Sequence, residues 1–228
     1  MKSFLLKSTY VMLAIVAAVL MADFVVPAAE AATHLLTHAD PGSVVMGLTS
    51  LAALKNIDDQ TPNPAGGRRA FVVLAADLKD DVIDWPKKGN ITASELTVAI
   101  PLKVGKSMAI ITPADNTLDA TFESQGDRFY QSFKHSIMFD IAGNGKAQLV
   151  EAEKYVNAGV IFIVEENDDT MKVYGTKLQP IVLKQKGQLG KKGGDKKGIS
   201  FSGDNDSYTF APPIYPSTLA LPLTPVVA

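Results

Sequence analysis

His34 and His38, in His34-Leu35-Leu36-Thr37-His38, stand four residues apart, the spacing at which one helical face can offer two imidazoles to a metal. The glutamate of a His-Glu-x-x-His protease is missing, and Asp40-Pro41-Gly42 turns the chain just beyond, so an ordinary surface pair is expected. His135 is the last of only 3 histidines. It falls in the inward register of an alternating segment and reads as a residue at the core edge of its strand.

Carboxylates gather at Asp77, Asp80, Asp81 and Asp84, and again at Glu165, Glu166, Asp168 and Asp169. The second group reads as a hairpin tip, where charge is solvated and discourages aggregation. Neither group has the spacing of a calcium loop, and Gly203-Asp204-Asn205-Asp206 lacks that loop's distal glutamate. A carboxylate-based hydrolase on the Asp77–Asp84 segment is the one enzymatic reading on offer. No serine sits in Gly-x-Ser-x-Gly, and the Lys191, Lys192, Lys196, Lys197 loop lacks the order of a phosphate-binding loop. Asn90-Ile91-Thr92 and Asn205-Asp206-Ser207 match a glycosylation acceptor, a three-residue pattern that chance supplies often. The expectation is no catalytic residue, no cofactor and no metal.

A net charge of −2 argues against electrostatically driven binding to nucleic acid or anionic membranes. The absence of cysteine excludes disulfides, thiolate metal sites and a cysteine nucleophile, so packing must hold the fold.

The elements that would position these residues are mostly strands. Ala70–Ala76 is a continuous apolar run, as in a strand buried on both faces. Leu96, Val98, Ile100, Leu102 and Val104 alternate with polar or small neighbours, which predicts a half-buried strand placed at an edge by Pro101. Phe133, Ile137, Phe139 and Ile141 repeat the pattern, and Leu118, Ala120 and Phe122 do so more weakly. Leu149, Val150, Ala152, Tyr155 and Val156 have helical spacing, with Asn157 and Gly159 to end the helix. Val160–Val164 predicts a central strand, and Asn167-Asp168-Asp169 turns it into Met171–Gly175. Leu178–Leu183 and Ile199–Ser202 are expected strands, separated by a flexible basic loop over residues 187–198.

The ends differ in character. Residues 1–31 combine Lys2 and Lys7, an apolar run from Val11 to Ala22, and Ala29-Glu30-Ala31, the three parts of a cleavable export signal. Uncleaved, residues 8–26 would form a hydrophobic helix touching a membrane, at the cost of burying Asp23; a start near Ala32 is a third reading. Residues 32–69 are then an N-terminal arm and loop, 70–210 a β-rich domain, and 211–228 an extended apolar tail with Pro212, Pro213, Pro216, Pro222 and Pro225.

The order Asp84-Trp85-Pro86, Leu102–Lys106, Thr121–Asp127, Phe133–Phe139, Lys172–Lys177 and the segment Gly190–Phe201 resembles structural virion proteins of tailed bacteriophages and related prophages, similar to tail-tube subunits. The resemblance spans about Asp84 to Tyr215. It implies a mainly β protein, an antiparallel β-sandwich or half-barrel with one flanking helix, whose copies assemble by sheet edges into a ring, tube or shell. Its partners would be itself and other virion proteins, with no sequence-specific nucleic acid and no catalytic residues, and its location the virion. An export signal fits that reading poorly and supports an alternative, an exported periplasmic or surface β-sandwich binding module.

Overall fold

A computed structural model describes Leu54, residues 62–191 and residues 196–224. The signal-like residues 1–31, the hydrophobic helix expected over 8–26, and His34 and His38 lie outside the described residues. Residues 60–228 form one compact unit, to which all that follows refers.

The chain is mainly β. The first sheet contains β1 (Gly67–Leu74), β4 (Ala109–Ile111), β7 (Gly159–Glu166), β8 (Met171–Tyr174) and β9 (Ile181–Val182). The second contains β5 (Asp119–Gln125), β6 (Ser132–Ala142), β10 (Lys184–Gln188) and β11 (Gly198–Tyr208). A small ribbon joins β2 (Ile91–Thr92) to β3 (Glu95–Leu96), and the helix α1 covers Lys146–Glu153. Strand order is β4-β1-β7-β8, with β9 also on β7, and β10-β11-β6-β5; every pairing is antiparallel.

The first sheet is buried on both faces, which is why β1 and β7 are continuous apolar runs and not alternating ones. One face carries Val72, Val160, Phe162, Val164 and Tyr174 against Ile137, Phe139, Ile199 and Phe201 of the second sheet. The other face carries Phe71, Val73, Ile161, Ile163 and Val173 under a layer of loops and tail, including Leu78, Trp85, Leu96, Ile100, Met108 and Tyr215. The second sheet has one buried face. Its strand β6 alternates as expected, with His135, Ile137 and Phe139 inward and Met138 exposed.

Several expectations are corrected. The strand predicted over Leu96–Val104 is limited to β3: Leu96 and Ile100 are buried, whereas Val98 and Val104 are exposed. Pro101 supplies no backbone donor, and beyond β3 the segment bonds singly, Lys79 N–H donating to the Pro101 carbonyl and Lys103 N–H to that of Asp77. The Leu178–Leu183 strand shortens to β9, and the basic loop starts later, because Lys184–Gln188 pairs with β11. Strand β11 runs well past Ser202. Gly203 allows this: a Cβ there would meet the Val182 carbonyl oxygen at 2.8 Å. Strand β1 begins at Gly67, inside the expected arm.

The helix also departs from its pattern. Leu149, Val150 and Val156 are exposed, Ala152 is buried, and Tyr155 packs edge-on against Phe201. The helix ends earlier than expected, at Glu153 with Lys154 as its C-cap, and Asn157, at φ +56°, belongs to the turn beyond it.

Candidate functional site

His135 lies fully buried between the sheets. Its ring stacks on Tyr208 and meets Tyr174 edge-on, at centroid distances of 4.0 and 5.7 Å. Gly175 N–H donates to Nδ1 at 3.4 Å, and Nε2 faces the Phe210 carbonyl at 3.3 Å. The neutral ring with its proton on Nε2 satisfies both contacts. Burial lowers its pKa from 6.5 to about 4, against a smaller opposing pull from the Phe210 carbonyl. These contacts make it a satisfied core polar group.

The acidic groups are dispersed into separate roles. Asp77 pairs with Lys106 at 2.9 Å and Asp80 with Lys103 at 2.7 Å, while Asp84 accepts the Leu178 N–H at 3.0 Å. The hydrogen bond from Lys103 holds the Asp80 carboxyl below its usual range. At the β7–β8 hairpin, Glu165 is not the solvated charge the sequence suggests. It is buried, with Arg69 bonded to one carboxylate oxygen and Arg68 at 3.5 Å from the other. Arg68 also bonds Asp169 across the strands. This staple sits where the β1–β7 register shifts between Gly67 and Arg69, and the sequence signal for it was the Arg68-Arg69 pair entering an apolar run. Asp168 accepts the Thr170 N–H at 2.9 Å, which lowers its pKa. Asp204 pairs with Lys134 at 3.0 Å, and the Asn205 amide donates to the Pro180 carbonyl. Among the described residues no group of three His, Asp or Glu side chains could hold a metal ion.

What remains is surface, and it is organised. The tail seals the outer edge of the first sheet: Val173 N–H donates to the Pro213 carbonyl and Tyr215 N–H to the Met171 carbonyl. Among the described residues no segment bonds along an edge of the second sheet in this way. Strands β5 and β10 each pair on one side only; on the outer side of β5, the Tyr174 hydroxyl donates to the Ala120 carbonyl. The two edges carry opposite charge, Asp119 and Glu123 on β5 against Lys184 and Lys186 on β10. Register places Lys184, Ser202, Met138 and Asp119 in one transverse row across the exposed face.

Two apolar features stand at opposite ends of β6. At its start, the β5–β6 turn presents Phe129 and Tyr130, 84% and 85% exposed. Beyond its middle, a half-open cleft of about 360 Å³ lies beneath α1, floored by Phe139, Ile141, Ile199 and Phe201. The helix turns Gln148, Glu151 and Tyr155 toward this space. Sequence reasoning passed over both, because an isolated Phe-Tyr pair carries no periodicity and the helix's strongest apolar residues point elsewhere.

Comparison of the chain with protein-family models, with curated proteins and with solved structures finds no match.

Proposed function

We propose that this chain is a non-enzymatic structural subunit that self-assembles through the open edges of its second sheet, as a tail-tube-like or other virion component. The observation that supports the reading is the contrast between the two sheets. The tail is bonded along the first sheet's outer edge, while among the described residues no further strand pairs with either end of the second, whose edge strands carry opposite charge.

An exposed strand edge is a template for another strand, and soluble proteins ordinarily blunt it. Four antiparallel strands make β5 and β10 run in opposite directions. A second copy set beside the first in the same orientation therefore lays its β10 antiparallel to β5, and the alternation continues from subunit to subunit. Such a contact is heterologous, joining two different surfaces, and it produces a ring if the rotation closes.

The test is sedimentation velocity and negative-stain microscopy of the purified chain over a wide concentration range. Rings, tubes or other regular assemblies are expected. A monomer at every concentration would dismiss the reading.

A further inference from the structure

We propose that the turn Arg128-Phe129-Tyr130 is a plug for the apolar cleft beneath α1 of a second copy of this chain, joining copies end to end along the strand direction. The inference rests on the self-assembly reading and assigns it a second, independent contact.

The plug is built, not merely exposed. Phe129 sits at φ +71°, a conformation that a bulky aromatic seldom adopts. Gly126 at φ +113° lets the turn fold back, since a Cβ there would meet the Tyr130 carbonyl oxygen at 2.5 Å. Tyr130 N–H donates to the Asp127 carbonyl at 2.9 Å. The effect is to hold two aromatic rings outside the domain, with the Arg128 guanidinium 4.8 Å from the Phe129 ring centroid. Strained backbone that exposes apolar side chains contributes nothing to the isolated fold, and such strain gathers at functional positions.

The socket fits the plug in size and charge. A cavity of ~150 Å³ lined by aliphatic and aromatic groups holds one benzene, so about 360 Å³ accommodates two rings. Its walls, Ile111, Phe139, Ile141, Tyr155, Ile199 and Phe201, are apolar or aromatic. The large apolar residues of α1 itself, Leu149 and Val150, are exposed and do not line it. The Glu151 carboxylate stands at the rim, where one oxygen accepts from Lys154 at 2.6 Å and the other can take the Arg128 that accompanies Phe129. Buried aromatic and arginine anchors are the side chains that dominate protein interfaces.

Placement excludes self-plugging. The turn precedes Ser132, whereas the nearest residue of the socket floor on β6 is Phe139; at ~3.3 Å per residue the strand holds them roughly 23 Å apart. One copy's plug must enter another copy's socket. Because plug and socket differ, the contact leaves a free plug and a free socket at either end and repeats without limit. It runs along the strands, whereas edge pairing runs across them.

The chain contains no cysteine, so disulfide trapping reports only what is introduced. Full-length Tyr130→Cys and full-length Gln148→Cys, mixed under mild oxidation, should give a covalent dimer that neither gives alone. The double variant should give a ladder. Phe129→Asp/Tyr130→Asp, folded by circular dichroism, should still associate laterally but raise the concentration needed for end-to-end growth at least tenfold. A dimer from Tyr130→Cys alone would mean that turn meets turn, and would overturn the proposal. So would unaltered end-to-end growth of the aspartate variant, or equal binding of the apolar dye anilinonaphthalene sulfonate to the cleft before and after assembly, which would assign the cleft to a small ligand. Wild-type chain that never associates overturns the self-assembly reading itself; assembly without the mixed cross-link overturns only the plug.

Discussion

The imidazole of His135 lies nearly parallel to the Tyr208 ring, at 13° and 4.0 Å, and this stack ties the middle of β6 to the far end of β11. It sits where β11 has a register irregularity between Asn205 and Tyr208, and Ser207 takes φ +66°. The bulge turns Tyr208 inward, and its hydroxyl reaches the Gln179 carbonyl at 2.7 Å.

That environment predicts a pH response. The folded pKa of about 4 lies below the ordinary 6.5, so between these values the unfolded chain binds a proton that the folded chain refuses. The contribution of His135 is complete above about pH 6.5 and is lost as pH falls toward 4, by about 3 kcal/mol in all. Protonation would also set Nδ1–H against the Gly175 N–H. Urea unfolding from pH 7.5 to 4 should show this slope in the wild type. His135→Phe should be less stable at pH 7.5 but should lack that part of the slope; equal slopes would remove the assignment.

Two glycines on paired strands should respond oppositely. A Cβ on Gly198 would meet the Ile141 carbonyl oxygen at 2.6 Å, in the ladder joining β11 to β6. Gly198→Ala should cost about 1–3 kcal/mol through forced backbone movement. Gly187, paired to Ile199 on edge strand β10, has open space at that position. Gly187→Ala should be neutral or slightly stabilising by thermal unfolding.

These cases show what the sequence could and could not disclose. Strands β6, β7 and β8 were legible because one buried face imposes alternation and two impose a continuous run, as Phe139 and Val160–Val164 illustrate. The Leu96–Val104 segment mimicked that alternation, yet Leu96, Ile100 and Leu102 reach a core made of loops, which requires no ladder. The later half of β11 was hidden because Gly203-Asp204-Asn205-Asp206 has turn chemistry; close approach of the Val182 carbonyl, not turning, is what places glycine there. Glu165 read as solvated since its arginine partners lie nearly a hundred residues away. The open edges were invisible, because pairing order is a tertiary fact that no local pattern encodes.

The tail should be structural, not a loose appendage. Tyr215 is buried, edge-on to Trp85 at 6.4 Å, and its hydroxyl donates to the Ala220 carbonyl at 2.6 Å. Tyr215→Ala should cost about 3–5 kcal/mol, as for other large aromatic truncations, and Tyr215→Phe about 1 kcal/mol for the hydrogen bond. Denaturant midpoints measure both. A near-neutral Tyr215→Ala would show that the tail does not support the second core.

The proposed lateral contact would have its own electrostatic signature. The row Lys184, Ser202, Met138, Asp119 begins on one edge of the sheet and ends on the other. A neighbour placed one sheet-width away brings its Lys184 opposite Asp119, on the same exposed face. Opposite charges facing across strands contribute about 0.2–1 kcal/mol, and like charges oppose by a similar amount. Asp119→Lys and Lys184→Glu should therefore each weaken lateral association several-fold, most visibly at low salt. The double reversal should restore it, because the pair is again complementary with its sign exchanged. Both residues are exposed in the single subunit, so thermal stability should change little in any variant. Sedimentation velocity of the four proteins measures the cycle; additive losses, without recovery in the double variant, would place Asp119 and Lys184 at separate surfaces.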